Sequence, residues 1–255
     1  MNSLIVNHLE NHSEVIINRP QALNALNKEV FSELNDVLNQ DLPASSRLLV
    51  ITGSGEKAFV AGADITEFSD LDAKKAEQLS AHGQGIFAKL INYSVPTLAL
   101  INGYALGGGL ELALACNIRL VTKKSVLGLP ELNLGLMPGY GGTQRLQKLV
   151  GMGKAMYYTL TSENMNGEEA YKNGLADFLA EDLTEAQVFI LNFAKKLSYK
   201  SRVSCRLALE SIQKSDGANG FAVESGNFGA AFASADMKEG VAAFLEKRKP
   251  SFSHQ

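Results

Sequence analysis

The chain holds only two cysteines, Cys116 and Cys205, among 255 residues. A disulfide-rich scaffold is therefore excluded, and a chain of this length buries a large core without one. Both cysteines stand in apolar surroundings and are expected as buried free thiols, a usage that fits a reducing cytoplasm. Histidine is scarce too. His8, His12, His82 and His254 show no metal-ligand spacing and are expected at the surface or in loops, so no metal site is expected. No apolar run is long enough to cross a bilayer, which argues against a membrane protein. The opening residues Met1-Asn2-Ser3-Leu4-Ile5-Val6 have neither a basic region nor a sustained apolar stretch, so they do not read as a signal peptide. Neither sign of charge dominates: 24 Lys and Arg against 27 Asp and Glu give a net charge of -3. That leaves no electrostatic footprint for nucleic acid, and Lys247-Arg248-Lys249 is too short a basic run to make one.

What remains is an ordinary globular composition, 45% hydrophobic and 20% charged. The length suggests one main domain with a modest appendage. Two short strands are expected over 4–9 and 14–18, ended by Arg19-Pro20. An amphipathic helix follows over 27–40, with Val30, Phe31, Leu34, Val37 and Leu38 on one face. Buried strands over 47–52, 95–102 and 118–122 alternate with helices over 72–91, 108–116, 144–150 and 185–197. This alternation argues an α/β fold. From Ser201 onward the chain reads as helix, with breaks near Asp216-Gly217 and Ser234-Ala235-Asp236. The division expected is a core over 1–198 and a helical region over 199–255.

The run Asn102-Gly103-Tyr104-Ala105-Leu106-Gly107-Gly108-Gly109-Leu110-Glu111 joins a buried strand to a helix. Three glycines at a helix start leave N–H groups uncovered at the positive end of the dipole, suited to a negative oxygen. No Lys-Ser/Thr follows, so this is no Walker loop, and it matches a dinucleotide fingerprint poorly. An oxyanion that forms during reaction, such as a thioester enolate, is the other candidate. Glu111 in the first helical turn either complements the dipole or does chemistry. The all-round apolar helix behind it makes an idle carboxylate costly.

A second glutamate, Glu131, is the one charge in the twenty residues from Ser125. Desolvation there raises its pKa and favours the protonated form near neutrality. Two carboxyls in one apolar cleft, one ionised and one not, make an acid/base pair. Equally, Glu131 could accept hydrogen bonds from the turning backbone at Gly135 or Gly139. Ala58-Phe59-Val60-Ala61-Gly62-Ala63-Asp64-Ile65 is a small-residue run ending in Asp that lets another molecule approach the backbone, or a tight connection with Asp64 as a helix cap.

Taken together these segments resemble the crotonase, or enoyl-CoA hydratase/isomerase, superfamily over nearly the whole chain. The resemblance is carried by Asn18-Arg19-Pro20 with Ala22-Leu23-Asn24-Ala25-Leu26, by Ala61-Gly62-Ala63-Asp64-Ile65, and by Asn102-Gly103 with Gly107-Gly108-Gly109. It continues through Pro130-Glu131 and Pro138-Gly139 with Gly141-Gly142-Thr143-Gln144-Arg145-Leu146. It closes with Glu239-Gly240 and the run from Ala243-Phe244 to Lys249-Pro250. The resemblance implies a crotonase/ClpP-like spiral of repeated strand-strand-helix units, with a C-terminal all-helical region that builds trimers, often paired into hexamers. It implies an enoyl-CoA hydratase, a hydro-lyase that needs no cofactor because coenzyme A is part of the substrate. Glu111 and Glu131 match the two glutamates that grip the reacting water, and the N–H groups of Ala63 and Gly108 match an oxyanion hole. CoA or substrate contacts are implied for Gln21, Ala22, Leu23, Ala61, Asp64, Ile65, Gly107 and Tyr140, and for Phe244 and Lys247, in some members from a neighbouring subunit. Three positions depart from the family habit. Gln21 stands where many members carry a basic residue, Leu110 is bulkier than usual and is expected to tighten the pocket, and Tyr140 replaces a common alanine and either lines or narrows the acyl pocket. A Δ3-Δ2-enoyl-CoA isomerase is the main rival, but it needs one base and usually lacks the equivalent of Glu111. A non-catalytic CoA-binding member is the other, and retention of both glutamates weighs against it.

Overall fold

The computed structural model describes residues 3–215 and 219–254. The expected helix break at Asp216-Gly217 lies outside the described residues. The N-terminal strands β1 (Leu4–His8) and β2 (Ser13–Ile17) form an antiparallel hairpin. Helix α1 (Lys28–Leu38) begins where the Asn27 side chain accepts the Val30 N–H, and it buries the five apolar residues expected of it. The chain then winds through three similar turns. The first is β3 (Leu49–Gly53), β4 (Ala58–Val60) and α2 (Ala73–Ile91). The second is β5 (Thr97–Ile101), β6 (Tyr104–Leu106) and α3 (Gly108–Ala115). The third is β7 (Ile118–Thr122) and β8 (Val126–Gly128), then helices α4 (Gly142–Val150) and α5 (Met152–Thr161). After these come β9 (Met165–Asn166), α6 (Gly167–Lys172), β10 (Phe178–Ala180) and α7 (Leu183–Ser198). Helices α8 (Arg202–Gln213), α9 (Gly220–Ala233) and α10 (Ala235–Leu245) close the chain.

Each turn lays one strand in each of two sheets. The larger has the order β1-β2-β3-β5-β7-β10 and is parallel from β2 onward. The smaller has the order β4-β6-β8-β9, with β4, β6 and β8 parallel. Register in the smaller sheet matches Ala58 to Tyr104 and Tyr104 to Val126. The segments that leave β4, β6 and β8 therefore emerge side by side at one end of the sheet. This stacking brings residues 61–64, 107–111 and 129–131 together although they lie far apart in sequence. Helix α3 is buried on every face, as a composition that is apolar but for Glu111 requires.

The structure corrects several expectations. The run expected as a small-residue connection contains β4, and β6 and β8 are two further strands too short for an alternation to show. Cys116 is buried, but Cys205 is only half-buried. His12 is buried rather than exposed, with Nε2 3.4 Å from a Glu14 carboxylate oxygen. His254 is half-buried, with Nε2 2.7 Å from an Arg47 guanidinium nitrogen. The chain also leaves helix after Leu245. Its tail is fastened back by the buried Asp236 carboxylate, which accepts the N–H groups of Ser253 and His254. Among the described residues no helix is long and apolar enough to cross a membrane, and no cluster of three or more His, Cys, Asp or Glu could hold a metal ion.

Candidate active site

A cavity of about 330 Å3 opens where the three turns meet. Its lining includes Ala61, Ala63 and Ile65 from the first turn, Gly107, Gly108 and Glu111 from the second, and Glu131 and Tyr140 from the third. Leu134, Leu136 and Met137 form an apolar rim and stay largely exposed. A wider open groove of about 1030 Å3 lies beyond the rim and shares Ser80, Met137 and Gly139 with the cavity, but neither Glu111 nor Glu131 lines it. The smaller cavity is the one that both glutamates line.

Glu111 is 1% exposed. Its carboxylate does not cap its own helix. Oε1 instead accepts the N–H of Tyr140 at 2.8 Å and of Gly142 at 2.7 Å. Burial pushes its pKa up, while those two amides and the nearby Arg145 guanidinium pull it back. Arg145 also fixes the loop by donating to the Tyr140 carbonyl at 2.8 Å. Glu111 is thus a buried carboxylate held in place and partly compensated in its ionised form.

Glu131 sits on a short 3-10 turn, Pro130–Leu134. Its backbone carbonyl, not its side chain, accepts the turning N–H groups, one of them from Leu136 at 3.1 Å. Its Oε2 is buried and has no hydrogen-bond partner among the described residues. Desolvation, with the Glu111 charge as a lesser cause, raises its pKa to about 7. Gly107 makes room for this carboxyl. Its φ is +51°, and an added Cβ would stand 2.9 Å from Glu131 Oε1.

The amides of Ala63 and Gly108 are uncommitted. Leu26 pairs with the Gly62 carbonyl and the Asp64 N–H on either side of Ala63, and Gly107 and Glu111 use their own N–H groups elsewhere. Among the described residues neither the Ala63 nor the Gly108 N–H has an acceptor in the chain. The two segments adjoin: a Cβ on Gly108 would lie 3.5 Å from the Ala63 nitrogen.

The remaining expected positions divide. Asp64 caps the 3-10 turn at Ile65–Glu67 and pairs with Arg19 at 3.0 Å, so it braces the first loop against the N-terminal segment. The Thr66 hydroxyl and then Arg19 hold its carboxyl below the usual range. Gln21, Ala22 and Leu23 lie alongside this loop, and the Leu23 carbonyl accepts the Ala61 N–H at 3.1 Å, but none of the three lines the cavity. Leu110 is buried in the core and does not line it either, so it does not tighten the pocket. Tyr140 does line it. Its ring lies edge-on to Phe31 and Phe87, with centroids 5.2 and 5.9 Å away. Gly83 on α2 leaves the space, since a Cβ there would come within 2.4 Å of the ring. Burial lifts the Tyr140 hydroxyl to about 12, so it stays neutral. Phe244 and Lys247 do not reach the cavity of their own chain. Phe244 is 82% exposed, because α10 turns it outward. The peptide groups that anchor Glu111 escaped sequence reasoning, since a backbone amide carries no residue signature.

An enoyl-CoA hydratase/isomerase family model matches residues 10–255. A crotonyl-CoA hydratase of Syntrophomonas wolfei is 40% identical over 255 residues, covering 98% of this chain and 97% of that protein. A short-chain-enoyl-CoA hydratase of Clostridium acetobutylicum is 38% identical over 253 residues, covering 98% and 97%. The crystal structure of an enoyl-CoA hydratase from Mycobacterium tuberculosis is similar with a TM-score of 0.88 at 32% identity, covering 100% of both chains. With the spiral of strand-strand-helix units now described, the family follows: the chain belongs to the enoyl-CoA hydratase/isomerase family.

Proposed function

We propose that this chain hydrates 2-trans-enoyl-CoA thioesters to 3-hydroxyacyl-CoA, as a step in the degradation of fatty acids or related acyl groups. The observation that carries the reading is the pair of unlike carboxyls in one apolar cavity. One is fastened by two amides, and the other keeps a buried, unpartnered oxygen and titrates near neutrality. Ionised Glu111 takes a proton from water as the water oxygen attacks C3. Negative charge moves to the thioester oxygen, where the Ala63 and Gly108 N–H groups receive it. Protonated Glu131 then delivers its proton to C2. Each N–H donor of this kind contributes about 3 kcal/mol to the transition state. An isomerase would need only one carboxyl to carry a proton between carbons, and two acids of opposite disposition suit water addition better.

The substrate brings its own coenzyme A, and a reaction with no net redox change calls for no further cofactor. The CoA moiety is assigned to the side of the cavity formed by Ala61 and Ile65, with Asp64, which does not line the cavity, and Gln21, Ala22 and Leu23 beyond them. Phe244 and Lys247 are assigned to the CoA of a neighbouring copy. That assignment goes with self-association as a trimer or hexamer through residues 199–255, whose helices leave Phe221, Phe228, Phe232 and Phe244 largely exposed. A cytoplasmic location fits two unpaired cysteines. Crotonyl-CoA tests the central reading. Loss of its conjugated-enoyl absorbance on adding protein, with 3-hydroxybutyryl-CoA recovered as product, is the expected result. Unchanged absorbance across a panel of chain lengths would end it.

A further inference from the structure

Helix α2 meets the 135–141 segment beside Glu111 through polar contacts that the mechanism has not used. Ser80 Oγ donates to the Gly139 carbonyl at 2.5 Å, and Gln84 Nε2 donates to the same oxygen at 2.9 Å. Gln84 also donates to Ser80 Oγ at 3.1 Å. The two side chains are four residues apart on α2 and so share a face. The Gly139 carbonyl and the Tyr140 N–H belong to one planar peptide unit. That N–H is one of the two donors that hold Glu111 Oε1. The peptide is thus held at both ends, by α2 at its oxygen and by Glu111 at its hydrogen. Donors on a carbonyl polarise the amide and strengthen the N–H as a donor, most of all where the dielectric is low.

We propose that Ser80 and Gln84 are positioning residues for Glu111, setting the direction and strength of its hydrogen bonds through the shared Gly139–Tyr140 peptide. The inference rests on the reading of Glu111 as the group that activates water. Neither side chain touches the carboxylate, so neither is catalytic. Removing the Ser80 hydroxyl weakens the amide that stabilises ionised Glu111. The carboxylate then binds its proton more tightly, and the acid limb of the rate profile moves to higher pH. A latch that only kept the loop in place would change melting temperature and KM and leave that limb where it was.

The test compares wild type with Ser80→Ala, Ser80→Thr and Gln84→Met on crotonyl-CoA across pH. Ser80→Ala is expected to lower kcat roughly tenfold, with KM within about twofold, and to raise the acid limb by about half a pH unit, the scale of one hydrogen bond of moderate net strength. Ser80→Thr should restore both, and Gln84→Met should shift both in the same direction by less. An unmoved acid limb, or a loss of kcat that Thr does not rescue, would overturn the relay. The Glu111 carboxyl is also titrated directly by carbon-13 NMR of glutamate-labelled protein, its resonance identified with Glu111→Gln. A higher midpoint in Ser80→Ala supports the relay even if crotonyl-CoA were left unhydrated, and an unchanged midpoint overturns it whatever the activity. The relay and the hydratase reading therefore fail separately.

Discussion

The two glutamates of the cavity are the same residue type in the same apolar surroundings, and the backbone around them makes them different. Glu111 rides on a regular buried helix and faces a loop that turns two amides toward it. Glu131 rides on a 3-10 turn, and its carboxyl is offered only its own backbone amide, which offsets burial far less. Burial raises both, but Glu111 is compensated by neighbouring amides and Arg145 and Glu131 by its own amide alone. A fold can therefore make a base and an acid from one side chain by choosing where peptide N–H groups point.

The comparison is broken most directly by glutamine. Glu111→Gln and Glu131→Gln are each expected to reduce hydration of crotonyl-CoA by about 10²–10⁴-fold, the usual worth of a positioned acid or base. CoA affinity, measured by calorimetry, should stay within about threefold. Near wild-type turnover in either variant would dissolve the assigned roles. Gly107→Ala comes next and touches one side only. It forces an alanine to φ +51° and drives its methyl toward Glu131. Turnover should fall roughly 10–100-fold, while the Glu111 loop keeps its geometry. A fully active alanine variant would mean that Glu131 does not need its place above Gly107.

The proton inventory gives a sharper contrast. In the proposed mechanism Glu131 acts protonated, and burial raises it to about 7, so kcat/KM should fall about tenfold per pH unit on the alkaline side. In the same mechanism Glu111 acts ionised, and its raised pKa should put the acid limb above the ordinary glutamate value of 4.5. The residual activity of Glu131→Gln should lack the alkaline limb, and a persisting limb would assign it to another group. The smallest effect is on stability. Truncating Glu111 to alanine orphans the Tyr140 and Gly142 amides and should cost about 1–3 kcal/mol in urea unfolding. Truncating Glu131 frees only its own backbone amide and removes a carboxyl whose folded-state pKa is raised. The contribution of Glu131 to stability therefore declines as pH rises from about 4.5 through 7, because the unfolded chain ionises it first. Glu131→Ala should flatten that decline by roughly 1 kcal/mol, discounted for partial exposure. A larger loss for Glu131→Ala than for Glu111→Ala would reverse the comparison.

Much of this was legible in the sequence, and the rest was hidden for physical reasons. Helix α1 showed itself because five apolar side chains recur at helical spacing. Both glutamates stood out because a lone charge in an apolar run is costly. The strands β4, β6 and β8 stayed invisible, since three residues among glycines carry no alternation, and yet their register is what gathers the cavity. Asp64 was open between a cap and a ligand contact, and its Arg19 partner lies 45 residues away. Ser80 and Gln84 looked like ordinary polar residues on a helix face, since their partner is a carbonyl.

The winding of the chain has a consequence for how the enzyme comes into being. In the proposed centre Ala63 comes from the first coil, Gly108 and Glu111 from the second and Glu131 from the third, so no single coil contains more than half of it. During synthesis or refolding, competence must arrive late and all at once, when the third coil settles against the second. A truncated or half-folded chain would be chemically silent rather than feebly active. The same partition lets one coil's loop change under selection while the others keep the reaction running.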